Sequence, residues 1–267
     1  MGNDRALVRR PSPLLADGLI THIERVPVDV RLAERQWQQY VDALRAAGWS
    51  VVEVPEIDEC PDGVFIEDTM VVYRDQRSDS IGANPAPVAV IARSGADERR
   101  PEAAEAERAV AAQGYRIERI NEPGTLDGGD VLKIGSTVYV GLGGRTNQAG
   151  IDQLRGHLEP LGANVIAVPV SKVLHLKSAV TALPDGTVIG YEPLVDDPAA
   201  FKSYLAVPEE AGSHVVLLGE DRLLMAASAP KSAELFCELG YTPVVVDISE
   251  FEKLEGCVTC LSVRLRT

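Results

Sequence analysis

The stretch "DVLKIGSTVYVGL", residues 130–142, decides the fold. Two short runs rich in β-branched residues flank Gly135-Ser136, which is the pattern of a β-hairpin. A helix-like pattern near 146–161 follows and ends at Gly162, and then comes another apolar run, "NVIAVPV" (164–170). The stretch therefore predicts a hairpin, a helix and a further strand in series.

The same order recurs along the chain. Helical patterns are predicted at 32–47, from Pro101 to Gly114 and from Pro230 to Gly240. The other clear strand-like runs are "WSVVEVP" (49–55), "TMVVY" (69–73), "VAVIA" (88–92), "YRIERI" (115–120), "SAVTAL" (178–183), "TVIGY" (187–191), "PVVVD" (243–247) and "CLSVRL" (260–265). A weaker fourth unit runs through 197–227, with strands in "HVVLL" and "RLLMA". The fifth unit lacks one strand, for which the N-terminal "RALVRR" (5–10) is the candidate.

These units place the chain in the α/β class. Counted from each helix, the chain contains about five helix–strand–hairpin units of roughly fifty residues each, and units that cannot bury their own apolar faces close on one another. We therefore predict a five-bladed α/β propeller of ββαβ-type repeats with pseudo-fivefold symmetry. Strand propensities alone leave an open doubly wound sheet as the alternative. No Pro/Ser-rich linker interrupts the pattern, so we expect a single domain over residues 1–267.

The charge excludes two classes of partner. Lys and Arg number 26 against 40 Asp and Glu, which gives a net charge of −14. Nucleic acids and anionic membranes repel such a surface, whereas a cationic small substrate suits it. The start has no apolar signal segment, no run is long enough to span a membrane, and four cysteines make no disulfide framework. We expect a cytoplasmic protein.

Two cysteines lie close to the end of the chain, in "GCVTCLSVRLRT" (256–267). Half of a zinc site is one interpretation, but a structural zinc ion needs four ligands and no second CxxC exists. A redox pair is another, but such pairs normally begin a helix, and "LSVRL" alternates like a strand. Two interpretations of the cysteines remain. Either one of them is a reactive thiol and the other is a bystander, or both are buried and inert.

Other residues that can carry chemistry stand near predicted strand starts. His175 lies between two leucines at such a start, and is either a semi-buried structural residue or a base. Asp127 and Asp130 flank two glycines in "GTLDGGDVL", where a tight turn is the plain explanation. Adjacent Glu67 and Asp68 form either a solvated edge or a site for a cation.

Two arginines suit a carboxylate ligand. Arg93 ends a strand-like run, and Arg145 lies in the glycine-rich "GLGGRTNQAG" before a helix. A guanidinium offers a fork of donors to a carboxylate, and a helix start adds amide donors. The glycines do not form a nucleotide-binding pattern.

Five segments in order resemble the dimethylarginine dimethylaminohydrolase family, which belongs with the arginine deiminases to the guanidino-modifying superfamily. The segments are "PDGVFIEDT", "GTLDGGDVL", "GRTNQAG", "LHLKS" and "VTCLS". The resemblance covers essentially the whole chain and implies a five-bladed propeller. It also implies hydrolysis of Nω-methylated arginines to citrulline and dimethylamine or methylamine, through a covalent cysteine intermediate. It implies a small-molecule substrate, no cofactor, no metal, and a monomer or homodimer.

The resemblance also assigns residues. Cys260 matches the nucleophile, His175 the general acid and base, and Asp127 the acid that orients the histidine. The positions that match substrate contacts are Leu19, Asp62, Phe65, Glu67, Asp68, Arg93, Asp130, Arg145, Leu254 and Glu255. Cys257 matches no functional position, so we expect a bystander. The segment "RRPSPLLADGLITH" (9–22) matches a mobile lid, and "EEAGSHVVLL" (209–218) departs from the family pattern.

Three other functions stay open on the sequence. An arginine deiminase, or another guanidine or amidine hydrolase, would use the same residues. A non-catalytic protein that only binds arginine analogues would need the two arginines but not the cysteine. A thiol redox protein would use both Cys257 and Cys260, and Cys257→Ser would then abolish its activity; we expect little effect.

Overall fold

In this computed structural model, which describes residues 4–75 and 86–266, the strands form five three-stranded sheets. In chain order the strands are β1 (Arg5–Val8), β2 (Ser50–Glu53), β3 (Met70–Tyr73), β4 (Val88–Ile91), β5 (Arg116–Arg119), β6 (Val131–Ile134), β7 (Thr137–Leu142), β8 (Asn164–Pro169), β9 (Val180–Ala182), β10 (Val188–Gly190), β11 (Tyr204–Ala206), β12 (Val215–Gly219), β13 (Arg222–Ala226), β14 (Thr242–Val246) and β15 (Val263–Leu265). Each sheet has an antiparallel pair and a third strand parallel to the middle one.

The helices among the described residues are α1 (Val30–Ala46), α2 (Ala103–Ala112), α3 (Gln148–Leu158), α4 (Leu176–Ala179), α5 (Pro230–Glu238) and α6 (Ser249–Glu252). The longer helices α1, α2, α3 and α5 each connect the middle strand of a sheet to its third strand, whereas the four-residue α4 and α6 lie between sheets. In α1 the Asp29 carboxylate caps the first turn, and Trp37, Tyr40 and Leu44 are buried on one face. Gly48, at φ 91°, ends the helix in a conformation that side chains disfavour.

The N-terminal strand closes the ring. β1 pairs with β15 in antiparallel fashion and with β2 in parallel fashion, so both ends of the chain share one sheet. The prediction that "RALVRR" supplies the missing strand is confirmed. The five-bladed α/β propeller is also confirmed, and the open doubly wound sheet is wrong, since no sheet in the described residues exceeds three strands.

The blades do not coincide with the units expected from the sequence. Each hairpin forms its sheet with the strand of the following unit, so that β3 and β4 pair with β5 across α2. The weak unit at 197–227 is divided between two blades. Its region has short 3₁₀ turns at 192–194 and 198–200 in place of an α-helix, and a strand, β11, that the sequence did not indicate.

Two predicted strands begin later than expected. Within "CLSVRL" only Val263–Leu265 is a strand, and Cys260 lies in a turn that its amide closes onto the Cys257 carbonyl at 3.1 Å. Within "SAVTAL" residues 178 and 179 still belong to α4, whose N-cap is His175. In both cases local hydrogen bonding forms a turn before the alternation of the strand takes over.

One helical or turn segment precedes the first strand of every blade. These segments are residues 66–69, 128–130, 176–179, 210–213 and 257–260. Because the first strands surround the centre of the ring, their preceding turns meet at one end of it. Most of the candidate residues lie in or beside these turns. No helix among the described residues has the length and apolar character needed to cross a membrane.

Candidate active site

His175 and Asp127 form a buried pair from two neighbouring blades. The His175 Nε2 donates to the Asp127 Oδ2 at 3.1 Å, and neither side chain is more than 3% exposed. Asp127 itself stands before the turn at 128–130, and its Oδ1 accepts from the Gly95 amide. The Gly95 amide therefore fixes the Asp127 carboxylate, which in turn orients the imidazole of His175.

Asp68 lies on the other side of the imidazole. Its Oδ1 is 3.8 Å from the His175 Nδ1 and accepts from the Gly129 amide at 2.8 Å, while Arg99 donates to its Oδ2 at 2.5 Å. A Cβ at Gly129 would lie 2.6 Å from both Asp68 and His175. This close approach explains the glycine in "GTLDGGDVL".

The carboxylates control the charge of the imidazole. Burial disfavours imidazolium, but Asp68, the hydrogen bond to Asp127, and Asp130 outweigh it and raise the pKa of His175 to about 9. In return, although burial works against the charged form, His175 and Arg99 lower the pKa of Asp68 to about 2. Near neutral pH the centre thus holds a protonated histidine between two carboxylates, ready to give up a proton.

Cys260 lies on the wall of the same pocket as His175 and Asp68. Its contact with the sulfur of Cys257 and its burial, with further contributions from Glu67 and Asp68, raise the pKa of its thiol well above the ordinary value. The two sulfurs are 3.3 Å apart. The sequence did not predict this contact, because the alternation of "LSVRL" indicated an extended chain and not the turn at 257–260. That Cys257 is a bystander in hydrolysis stays a prediction.

Most of the predicted site residues surround one cavity. Its walls are formed by Leu19, Asp62, Phe65, Asp68, Arg99, Arg145, Leu174, His175, Leu254, Glu255, Gly256 and Cys260. Its volume of ≈ 10 Å³ admits about one water molecule. An amino-acid ligand must therefore displace part of this wall to enter.

The predicted lid forms part of that wall. The Leu19 amide donates to the Asp62 Oδ2 at 3.0 Å, and the amides of Thr21 and His22 donate to the Glu255 carboxylate at 2.6 and 2.9 Å. These three bonds hold the segment over the pocket. Because each is a single contact between a backbone amide and a carboxylate, each contributes only about 1–3 kcal/mol.

Arg145 reaches into the pocket with an unused donor. Its Nη1 is buried, lies 3.5 Å from the Asp127 Oδ2, and has no hydrogen-bond partner among the residues that the structure describes. A buried donor without an acceptor is costly, so this atom is suited to an incoming anion. Arg93 is not on the wall; it donates to the Gly124 carbonyl and lies 3.9 Å from Glu122.

Two predicted carboxylates also lie away from the wall. Asp130 is buried beneath it, accepts from Thr146 at 2.6 Å and from the Leu176 amide at 2.9 Å, and burial raises its pKa to about 6. Glu67 turns its carboxylate to ion pairs with Lys177, at 2.5 Å, and Arg264.

Glu67 also lines a second cavity of ≈ 440 Å³, which we call the channel. The channel is surrounded by the first strands of the five blades.

The sequence did not indicate Arg99, Lys177 or Arg264. Arg99 lies in the charged run "DERRPE", which is typical of a solvated surface, yet its side chain is 5% exposed and it binds both Asp68 and Glu102. Lys177 follows His175 by two residues within "LHLKS", which was the only available signal.

Among the described residues, Asp68, Asp127 and His175 could together hold a metal ion, since their ligand atoms lie within 4.8 Å of one another. Both carboxylates already have a cationic neighbour, Arg99 for Asp68 and Arg145 for Asp127. Positive charge in this centre is thus supplied by guanidinium groups and the protonated imidazole.

Comparisons with known proteins agree with this geometry. No protein-family model matches the chain. A dimethylarginine dimethylaminohydrolase of Streptomyces coelicolor is 64% identical over 266 residues, which cover 100% of this chain and 98% of that protein. The chain belongs to the dimethylarginine dimethylaminohydrolase family.

Solved structures of the dimethylarginine dimethylaminohydrolase family have the same fold. A cysteine-to-serine variant from Pseudomonas aeruginosa, in complex with citrulline, is 30% identical with a TM-score of 0.87, over 99% of this chain and 100% of that one. A histidine-to-glycine variant, as an adduct with S-methyl-L-thiocitrulline, is 29% identical with the same TM-score and the same coverage of the two chains.

Proposed function

We propose that this protein hydrolyses asymmetric dimethylarginine and monomethylarginine to citrulline and dimethylamine or methylamine. The observation that carries the proposal is one pocket wall that holds Cys260, Asp68 and His175, with Asp127 behind the histidine at 3.1 Å. A relative of that name with 64% identity, and a family structure with citrulline bound, support the substrate class. The hydrolase acts on carbon–nitrogen bonds and needs no metal in the proposed steps.

The pocket supplies groups for each end of such a substrate. Arg145, with its unused Nη1, pairs with the α-carboxylate, and Arg93 joins it when the pocket opens. Asp62 and the backbone of Leu19 meet the α-amino group; they are bonded to each other at 3.0 Å without ligand.

The other end of the substrate is the guanidinium. Asp68 receives it from the pocket side, with Asp130 beneath, and Glu67 acts from the floor that it shares with the channel. Phe65, Leu254 and Glu255 contact the methylated end.

The first half of the proposed reaction forms a covalent intermediate. The guanidinium carbon is a poor electrophile, because resonance spreads its charge over three nitrogens; carboxylates that hold it still favour attack by a soft thiolate. The Cys260 sulfur attacks this carbon, and protonated His175 gives its proton to the departing amine. The product is dimethylamine and an S-alkylthiouronium on Cys260.

The second half uses the same residues in reverse. His175, now neutral, takes a proton from water, and the hydroxide attacks the thiouronium carbon. The carbon–sulfur bond breaks, the hydroxyl proton of the adduct passes to the solvent so that citrulline leaves with a neutral ureido group, and Cys260 regains its thiolate. Asp127 keeps the imidazole oriented throughout and stabilises its charged form.

The cation of the substrate also assists ionisation of Cys260. In the empty pocket the contact with Cys257 and burial raise the thiol pKa, and Glu67 and Asp68 add to them. A guanidinium cation bound between the Cys260 sulfur and the carboxylates of Glu67 and Asp68 outweighs their negative charge. Its presence therefore lowers the thiol pKa of Cys260, where the carboxylates alone raise it. We propose that Cys260 loses its proton when substrate binds.

The proposal extends to the setting of the enzyme. All the residues named belong to one chain, so a single domain acting as a monomer or as a homodimer serves the reaction. All four cysteines are free, which suits the reducing cytoplasm.

A citrulline assay tests the proposal. Asymmetric dimethylarginine, monomethylarginine and arginine are compared on the parent, on Cys260→Ser, and on Cys237→Ser, which alters an exposed cysteine on α5. We expect turnover of both methylated substrates, a loss of about 10⁴-fold or more with Cys260→Ser, and parental rates with Cys237→Ser. Turnover of arginine alone would favour an arginine deiminase, and no turnover of the three would indicate a binder.

A further inference from the structure

Cys257 and Cys260 are the first and fourth residues of one turn. The Cys260 amide donates to the Cys257 carbonyl at 3.1 Å. The Cα atoms at the ends of such a turn lie within about 7 Å of each other, and disulfides join Cα atoms about 4.4–6.8 Å apart. The two sulfurs are 3.3 Å apart, so they need to approach by only roughly 1.2 Å to bond.

The two thiols differ in access. Cys260 is on the pocket wall, whereas Cys257 is 4% exposed and is not among the wall residues. The contacts of the Cys257 sulfur are with Cys260 and with the Thr259 hydroxyl at 3.2 Å. A small oxidant that enters the pocket therefore meets Cys260 first, with Cys257 directly behind it.

We propose that Cys257 is a resolving thiol, which converts Cys260 oxidised by a hydroperoxide into a reversible Cys257–Cys260 disulfide. The inference rests on the proposed role of Cys260 as the nucleophile of the pocket. It assigns a function to a cysteine that the family resemblance leaves without one.

The chemistry has two steps. The Cys260 sulfur attacks the peroxide O–O bond and gains a hydroxyl group as a sulfenic acid; the other oxygen leaves and takes the thiol proton, as an alcohol or as water. The Cys257 sulfur then attacks the sulfenic sulfur, so that an S–S bond forms and the S–O bond breaks. Cys257 attacks as its thiolate, so the released hydroxide takes a proton from the solvent and leaves as water. The two sulfurs lose two electrons, which the peroxide accepts.

The surroundings favour the second step. The hydrogen bond from Cys260 outweighs burial, and with His214 and Thr259 it lowers the pKa of Cys257 to about 5. Thiolates are the attacking form in thiol–disulfide chemistry. Before Cys260 is oxidised, these contacts thus favour the thiolate form of Cys257, which is the form that the resolving step requires.

The disulfide would protect the pocket. A sulfenic acid left alone proceeds to sulfinic and sulfonic acids, which dithiols do not reduce. A Cys257–Cys260 bond stops the reaction at a stage from which a dithiol restores both thiols. Hydrolysis is suspended while the bond exists, because its nucleophile is occupied.

The test compares reduced parent protein, Cys257→Ser and Cys237→Ser after exposure to hydrogen peroxide. The peroxide is removed, half of each sample is treated with dithiothreitol, and peptide mass mapping follows the sulfurs. In the parent and in Cys237→Ser we expect the linked peptide, which is one peptide with a Cys257–Cys260 disulfide and two hydrogens fewer. After dithiothreitol we expect the free thiol of Cys260 to be restored. In Cys257→Ser we expect sulfinic and sulfonic acid at Cys260 and about tenfold less recovery.

Recovery of activity is measured in the same samples as the rate of citrulline release. Each rate is divided by the rate of the same variant before oxidation, so different starting activities of the variants do not affect the comparison. Absence of the linked peptide in the parent, or equal recovery with and without Cys257, would overturn the inference. The mapping requires no turnover. A linked peptide in a protein that leaves methylarginines unchanged would therefore refute the proposed function alone.

Discussion

Glu67 and Asp68 are adjacent in the chain, but their carboxylates face two different cavities. Asp68 lines the closed pocket, between His175 and Arg99. Glu67 lines the channel, paired with Lys177 and Arg264. One 3₁₀ turn at 66–69 thus supplies an acid to both sides of the ring centre.

The two cavities differ in charge. The pocket wall combines the acids Asp62, Asp68 and Glu255 with Arg99, Arg145 and the protonated His175. Among the described residues, the channel is lined by one acid, Glu67, and five basic residues, which are Arg74, Lys133, Lys177, Arg264 and Arg266. A protein of net charge −14 thus collects positive charge on one side of its centre, and on the other side it offers charges of both signs to a substrate that carries a carboxylate and two cationic groups.

The largest effect is expected for Asp68→Asn, which removes the pocket acid and keeps its shape. We expect turnover of dimethylarginine to fall on the order of 10³-fold, because the guanidinium loses its charged partner and the pKa of His175 falls. Haloacetamide alkylation against pH should show a lower Cys260 pKa, since one carboxylate that opposes the thiolate is gone. The matched control is the exposed Asp97→Asn. Equal rates for the two variants would contradict the assignment.

The second effect is a pH dependence of stability. The pKa of His175 is raised from 6.5 to about 9. The charged imidazole therefore stabilises the fold fully below pH 6.5, and this stabilisation is lost as the pH rises through 9. The contribution is about 3 kcal/mol. We expect the free energy of unfolding of the parent, measured by urea denaturation, to exceed that of His175→Gln by an amount that shrinks over this range. A difference independent of pH would show that His175 is neutral in the folded state.

The residues of the pocket also show what sequence can and cannot predict. Asp68 and His175 stand near predicted strand starts and Cys260 begins a predicted strand, so the repeat indicated that they lie at the ends of successive units. The resemblance to the family implied that they meet in one site. Arg99 and Lys177 escaped prediction, because a charged side chain is buried only when a distant partner neutralises it. Cys257 escaped because the choice between turn and strand at 257–260 is made by local hydrogen bonds that the apolar alternation does not report.

The third effect separates the two arginines. Arg145 has a buried unused donor at the pocket, while Arg93 is 22% exposed and is bonded to Gly124 outside it. We expect Arg145→Lys to raise KM about 10- to 100-fold, since a lysine loses the bidentate fork. Arg93→Lys should raise it only a few-fold. Initial rates against substrate concentration decide the order, and a larger effect at Arg93 would reverse the assignment.

The smallest effect is expected on the channel side. The Lys133 side chain keeps an exposed part. It lines the channel, where desolvation and the charges of Lys177 and Arg264 lower its pKa to about 7. Lys133→Gln should leave turnover within about twofold and, below pH 7, raise the free energy of unfolding by no more than about 0.5 kcal/mol. The control is Lys231→Gln, on the exposed surface of α5. A strong loss of turnover would mean that the channel takes part in the reaction.

The covalent step is the central claim of this account, and rapid-quench mass spectrometry tests it most directly. Reduced protein is mixed with asymmetric dimethylarginine, quenched in acid during the first turnover, and digested for peptide mapping. We predict a transient thiouronium adduct on the peptide that contains Cys260, located on that sulfur and absent from Cys260→Ser. Citrulline formed without any adduct, or an adduct located on Cys257, would contradict the account.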